Sequence, residues 1–177
     1  MKGVVMNLLN EMVEETFGIE EWNAVLDEAG VSGAYTAAGL YEDAELLSLV
    51  SIISQRKDIP VPDLVYAFGE FMFPQFVKRY PGLIDSSMDF LDFLETIDGV
   101  IHVEVKKLYP DAITPAFQYE RQAENKLLLN YSSSRQMCEL AEGLIAGAAT
   151  HFGVSYELSH SPCMHNGADH CGLLVTV

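Results

Sequence analysis

Tyr131-Ser132-Ser133-Ser134-Arg135 is the stretch on which the reading of this chain turns. It follows a strand-like run, Leu127 to Tyr131, and leads into a helix-like pattern from Arg135 to about Phe152. If the chain is still extended there, Tyr131, Ser133 and Arg135 stand at i, i+2 and i+4 and point to one side. Their hydroxyls and guanidinium then converge on one anion, and an arginine fork fits a carboxylate with two parallel hydrogen bonds. The competing reading is a strand end whose polar side chains face water and cap the next helix.

Outward from this run the pattern separates into two parts. Phe117-Gln118-Tyr119-Glu120 alternates and Glu124-Asn125-Lys126 makes a turn, so Leu127 to Tyr131 closes a hairpin. Beyond the helix, which Gly153 ends, two further strand candidates, Val154 to His160 and Cys171 to Val177, flank an Asn166-Gly167 turn. The first two thirds read as helical: Val4, Val5, Leu8, Leu9, Met12 and Val13 recur at helical spacing up to about Thr16. A second helix is expected over Ile19 to Ala29, closed by Gly30, and a third from an Asp43 N-cap through Ile53. Asp63 is expected to open an aromatic-rich helix that Pro74 kinks or ends, Pro81-Gly82 to turn, and Met88 to Ile97 to be helical again. The fold expected is α+β, a helical N-terminal part followed by a small antiparallel sheet with a packed helix, in one domain over residues 1–177.

Composition narrows the partners. Hydrophobic residues make up 49% of the chain against 20% charged, enough to bury a core and line a pocket. Asp and Glu outnumber Lys and Arg by 26 to 10, and a formal charge of −16 repels phosphate backbones and anionic lipid surfaces. Nucleic acid and membrane are therefore not expected as partners, and with no apolar run of membrane length or signal core the chain reads as cytoplasmic.

His102 stands alone in Gly99-Val100-Ile101-His102-Val103-Glu104-Val105, where the β-branched residues favour a strand. A single histidine in apolar surroundings is more often a satisfied core residue than a ligand. The Tyr131, Ser133 and Arg135 donors shift that balance, because one imidazole, anion donors and an apolar slot are what haem needs.

With these residues on the page, the chain resembles the haem-nitric oxide/oxygen binding (H-NOX) family, related to the haem domain of soluble guanylate cyclase. The Met1-Lys2-Gly3 start, His102, Pro115 and the Tyr-x-Ser-x-Arg run occur in the family's order and spacing, and the resemblance spans essentially the whole chain. It implies haem b held between the helical part and the sheet, with His102 on a helix as iron ligand, Tyr131, Ser133 and Arg135 on the propionates, and Pro115 pressing on the macrocycle. In oxygen-binding members a distal tyrosine donates to the gas; here Leu140 occupies that position, with Val5, Leu9 and Leu144 as apolar wall. The resemblance therefore implies a non-catalytic sensor that binds nitric oxide and carbon monoxide, discriminates against oxygen, and regulates a separate histidine kinase or cyclic-dinucleotide enzyme.

A second constellation is Cys138, His160, Cys163 and Cys171. Thiolates and imidazole suit tetrahedral zinc, and a terminal hairpin can bring His160 and Cys163 to Cys171, with Cys138 completing the shell. The family resemblance extends to this ligand order, in a zinc-containing stand-alone bacterial type. His165 or His170 could replace His160, and ordinary free thiols are the plainer reading. Two other functions stay open here: a haem-free zinc or thiol redox module of the same fold, and a zinc enzyme using His151, His165 or His170 with Glu139 or Glu157 as general base.

Overall fold

The computed structural model describes residues 1–177 apart from 81, 83 and 86, so Pro81 of the expected Pro81-Gly82 turn lies outside the described residues. Four helices come first, α1 (Gly3–Phe17), α2 (Ile19–Ala29), α3 (Asp43–Lys57) and α4 (Val61–Arg79). Their buried faces, including Leu8, Leu9, Val13, Trp22, Leu49, Ile53 and Phe68, form one apolar core. Gly30 ends α2 at φ +69°, a left-handed conformation that glycine adopts without steric cost.

The second part begins with α5 (Phe90–Glu95), whose first turn is capped by the Asp89 carboxylate accepting from the Asp92 amide at 2.8 Å. A π-helical turn (Ile97–Ile101) and the short α6 (His102–Leu108) follow. The hairpin is β1 (Ala116–Ala123) and β2 (Lys126–Ser132); α7 (Cys138–Phe152), β3 (Glu157–His160) and β4 (Cys171–Thr176) complete the chain. The sheet is antiparallel throughout, in the order β1-β2-β4-β3. Leu127, Leu129 and Tyr131 alternate inward along β2 and meet Leu173 and Val175 of β4, beneath α5 and α7. The α+β architecture is as expected.

Local differences have physical reasons. Pro74 does not end α4, which runs on to Arg79, and the flanking Met72 and Phe73 are buried, so packing offsets the lost backbone bond. The helix opens at Val61 with Pro62 in its first turn, two residues before Asp63. Residues 97–108 are helical despite their β-branched side chains, as the resemblance implied and the propensity did not. The helix expected from Arg135 starts at Cys138, after a turn in which Gln136 takes φ +51°.

α4 and α7 pack with their backbones in contact. A methyl group on Gly143 would collide with the carbonyl oxygen of Tyr66 and stand 2.9 Å from its carbon and 3.0 Å from the Glu70 nitrogen. Only glycine permits this approach. The pair forms a stiff spine between the two cores.

Candidate functional site

A cavity of about 280 Å³ lies between the two parts of the fold, walled by Val4 and Val5 of α1, Phe73 of α4, Phe93 and Leu94 of α5, and Ala141, Leu144 and Ile145 of α7. The opposite wall is Ile97, Ile101, His102 and Val105, with Ile113, Thr114 and Pro115 from the segment before β1. This volume is just below the range usual for ligand sites, about 300–1,000 Å³, and the 97–108 wall contributes no fully buried side chain to it.

His102 enters this slot as a ligand would. Its Nδ1 lies 3.1 Å from the Asp98 carboxylate, one helical turn back. A carboxylate only accepts, so Nδ1 carries the proton and the Nε2 lone pair stays free; Nε2 has no hydrogen-bond partner among the described residues. Burial lowers the pKa of His102, and Asp98 opposes the shift without reversing it, which keeps the ring in the neutral form a metal requires. Asp98 is held in turn, its amide donating to the Tyr119 hydroxyl at 3.0 Å.

Arg135 lines the same cavity. Nε donates to Asp43 at 2.7 Å and an η nitrogen to the Ile113 carbonyl at 2.8 Å. The anion expected for an inward arginine is thus supplied by Asp43, which also accepts from the Met1 amino group at 2.7 Å. Burial raises the pKa of Asp43, but these two cations outweigh it and the net shift is downward. The extended run stops at Ser132, so Tyr131 and Ser133 do not reach the cavity wall by alternation. Ser133 Oγ accepts from the Arg135 amide at 3.2 Å and shapes the turn that presents the guanidinium. Tyr131 is buried against Phe117, its hydroxyl beside Ser133 and the Met137 amide.

Of the four apolar wall residues expected, Val5 and Leu144 line the cavity. Leu9 is fully buried in the helical core, and Leu140 packs against that core one residue before the first α7 side chain of the wall, Ala141. Sequence reasoning missed two wall hydroxyls, Tyr80 and Tyr109, which bond each other at 3.0 Å; burial first, then this pairing, pushes Tyr80 up to about 12. It also missed Asp98, although a carboxylate four residues before a helical histidine is a readable signal.

The second cluster forms as expected. One ligand atom from each of Cys138, His160, Cys163 and Cys171 lies within 4.8 Å of the others. The Cys163 and Cys171 sulfurs are 4.0 Å apart, close to the roughly 3.8 Å edge of a tetrahedron with Zn–S bonds of about 2.3 Å and far from a disulfide. His160 Nε2 is buried with no partner, the one such atom among the described residues, while Nδ1 meets Glu142 at 2.5 Å. Burial raises the thiol pKa values of Cys138 and Cys171, so in the protein alone these sulfurs keep their protons. A buried nitrogen without a partner among three thiols is a donor set suited to zinc. His165 is more exposed and groups with Cys138 and Glu139, His170 pairs with Asp169, and His151 packs on Phe73 and Phe152.

The chain matches the family model described as Haem-NO-binding over residues 2–160. In structure it is similar to an H-NOX protein from S. oneidensis in the Fe(II)NO ligation state, at 39% identity, 99% of this chain and 98% of that one, and a TM-score of 0.93. It is similar as well to the H-NOX from Shewanella woodyi in the Fe(II)CO state bound to IWP-051 (35% identity, 99% and 94%, TM-score 0.87). The Fe(II) unliganded H-NOX protein from K. algicida aligns with it at 31% identity, 99% and 96%, and a TM-score of 0.91. No curated protein matches it in sequence. No helix among the described residues is long and apolar enough to cross a membrane.

Proposed function

This chain belongs to the Haem-NO-binding (H-NOX) family, and from that premise we propose that residues 1–177 act as one ferrous-haem sensor domain for nitric oxide, without catalysis of its own. The observation that carries the reading is His102, a neutral imidazole with a free Nε2 in the wall of an apolar cavity. Bound there, haem b would supply a ferrous iron able to bind nitric oxide or carbon monoxide. His102 would hold that iron, Arg135 with Tyr131 and Ser133 behind it would grip the propionate edge, and Pro115 with Val5 and Leu144 would bound the ring. To reach a propionate, Arg135 gives up or shares Asp43.

Discrimination against oxygen follows from the α7 side of the wall, where Ala141, Leu144 and Ile145 offer no donor and Leu140, just behind them, adds none. Output runs through residues 97–108, which are anchored by His102, by the Asp98 amide donating to Tyr119 and, just past their end, by the Tyr80–Tyr109 pair, with no fully buried side chain of their own. If the hold on His102 slackened, this segment, held to the sheet-side core by the half-buried Ile97 and Ile101, would shift, and a partner that binds the two arrangements differently would read the change. The partner class is a histidine kinase or cyclic-dinucleotide enzyme in the cytoplasm, and a surface of charge −16 calls for Lys and Arg on its side.

Spectra of the ferrous protein before and after nitric oxide test the proposal. A Soret band that shifts with nitric oxide, and no stable ferrous-oxy spectrum in air, are expected. His102→Gly supplied with imidazole should hold haem and lose nitric oxide control of the partner; retained control refutes the role of His102. Beside haem, we propose that Cys138, His160, Cys163 and Cys171 hold a closed, structural zinc, as in a zinc-containing member of the family. That cluster also favours a second reading, a thiol redox module with no haem, which a colourless protein able to rebind neither haem nor gas would support.

A further inference from the structure

We infer that Glu142 is the positioning residue of the metal cluster: its carboxylate fixes the His160 ring so that Nε2 is presented to the metal. The inference rests on the zinc reading above and goes beyond the four ligands. Glu142 stands four residues after Cys138 on α7, so both side chains project from the same face of the helix, one towards the sulfur cluster and one towards His160 at the end of β3. Its Oε1 lies 2.5 Å from His160 Nδ1, and both side chains are about four-fifths buried, where a charge-assisted bond is not diluted by water. A carboxylate accepts and cannot donate, so Nδ1 is the protonated nitrogen. Nε2 then carries its lone pair among Cys138, Cys163 and Cys171, buried and with no other partner. Hydrogen bonding at the far nitrogen fixes the ring and raises its basicity towards a metal. Glu139, next to Cys138, does not serve His160; it faces the more exposed His165 at 3.5 Å.

The test uses the purified full chain. Zinc affinity, read by competition with a chromophoric chelator, is expected to fall about 10- to 100-fold in Glu142→Ala. Glu142→Gln, which keeps an acceptor and loses the charge, should fall between Ala and the parent. The same substitutions in a His160→Cys background should leave zinc affinity unchanged, because no ring remains to be oriented; an equal loss there marks a merely structural role and overturns the inference. Nitrogen-resolved histidine spectra of the zinc-loaded parent supply a readout independent of the variants' folding: His160 protonated at Nδ1 and metallated at Nε2 supports the inference, and the opposite assignment overturns it. A parent that binds no stoichiometric zinc removes the metal reading and this inference together. A parent that binds zinc no more tightly than Glu142→Ala leaves the metal reading standing and removes only the role of Glu142.

Discussion

Gly143→Ala is the sharpest test of the α4–α7 spine, because two effects of opposite sign meet there. In an isolated helix, replacing glycine by alanine stabilises by about 1 kcal/mol. Here the new methyl meets backbone, 2.9 Å from the Tyr66 carbonyl carbon and 3.0 Å from the Glu70 nitrogen, with the Tyr66 oxygen nearer still. No rotamer change can relieve contact with a main chain, so the helices must separate, and overpacking of a well-filled interface costs about 1–3 kcal/mol. With the collision at the upper end of that range, the net loss is about 2 kcal/mol, or roughly 4–8 °C in Tm for a chain of this size. Gly99→Ala is the control: a methyl there meets nothing within 4 Å, and the substitution should leave stability unchanged or raise it by up to about 1 kcal/mol. Urea unfolding followed by circular dichroism, on samples matched for haem and zinc content, measures both. A Gly143→Ala protein as stable as the parent would refute the close-packed spine, as would an equal loss in Gly99→Ala.

Three further outcomes are expected. Asp43, whose pKa is held below its ordinary 3.8 by the Met1 amino group and Arg135, contributes stability that is present above the ordinary value and lost as pH falls through the depressed one. Asp43→Asn should flatten that acid limb by roughly 1 kcal/mol or less, since the side chain is 40% exposed and its ion pairs are screened; an unchanged acid limb removes Asp43 as a stabilising partner of Met1 and Arg135. Stripping zinc with a strong chelator should lower Tm by roughly 8–16 °C if the site is loaded a thousandfold above its Kd, worth about 4 kcal/mol, with Cys171→Ala reproducing the drop and a scan insensitive to chelator counting against a structural metal. Tyr80→Phe removes one cavity hydroxyl and breaks its 3.0 Å bond to Tyr109, yet the ferrous protein in air should still form no stable oxy species; a changed oxygen response would place that hydroxyl at the gas.

The elements set by local rules were legible in the sequence. α2 ends at Gly30 because glycine takes the left-handed cap there, and the 117–131 hairpin follows from alternation around Glu124-Asn125. What depends on distant neighbours was not. Pro74 reads as a kink or an end, yet burial of Met72 and Phe73 carries α4 past it, and the run around His102 reads as strand until its surroundings impose a helix. The candidate sites divide in the same way: His102, Pro115, Val5, Leu144 and Arg135 line one cavity and the four metal-cluster residues form a separate group, while Tyr131 and Ser133 stand off the cavity wall, Leu9 sits in the neighbouring core and Leu140 packs against it. Asp98 and Glu142 went unread because each matters only once a helix places it four residues from a histidine or a cysteine.

The π-helical turn at Ile97–Ile101 closes its bonds over one more residue than an α-helical turn, as in the Ile101 amide to Thr96 carbonyl bond of 3.1 Å. Rewinding it to α geometry would pass that spare residue along α6, and one residue of helix is about 100° of rotation and 1.5 Å of travel. His102 would sweep to another face of its helix, carrying the exposed Val103 round with it, while Ile97 and Ile101 of the turn would have to re-seat against the sheet-side core. The turn thus keeps one residue of slack just before His102, and rewinding it would move the ring by one discrete step rather than a graded tilt.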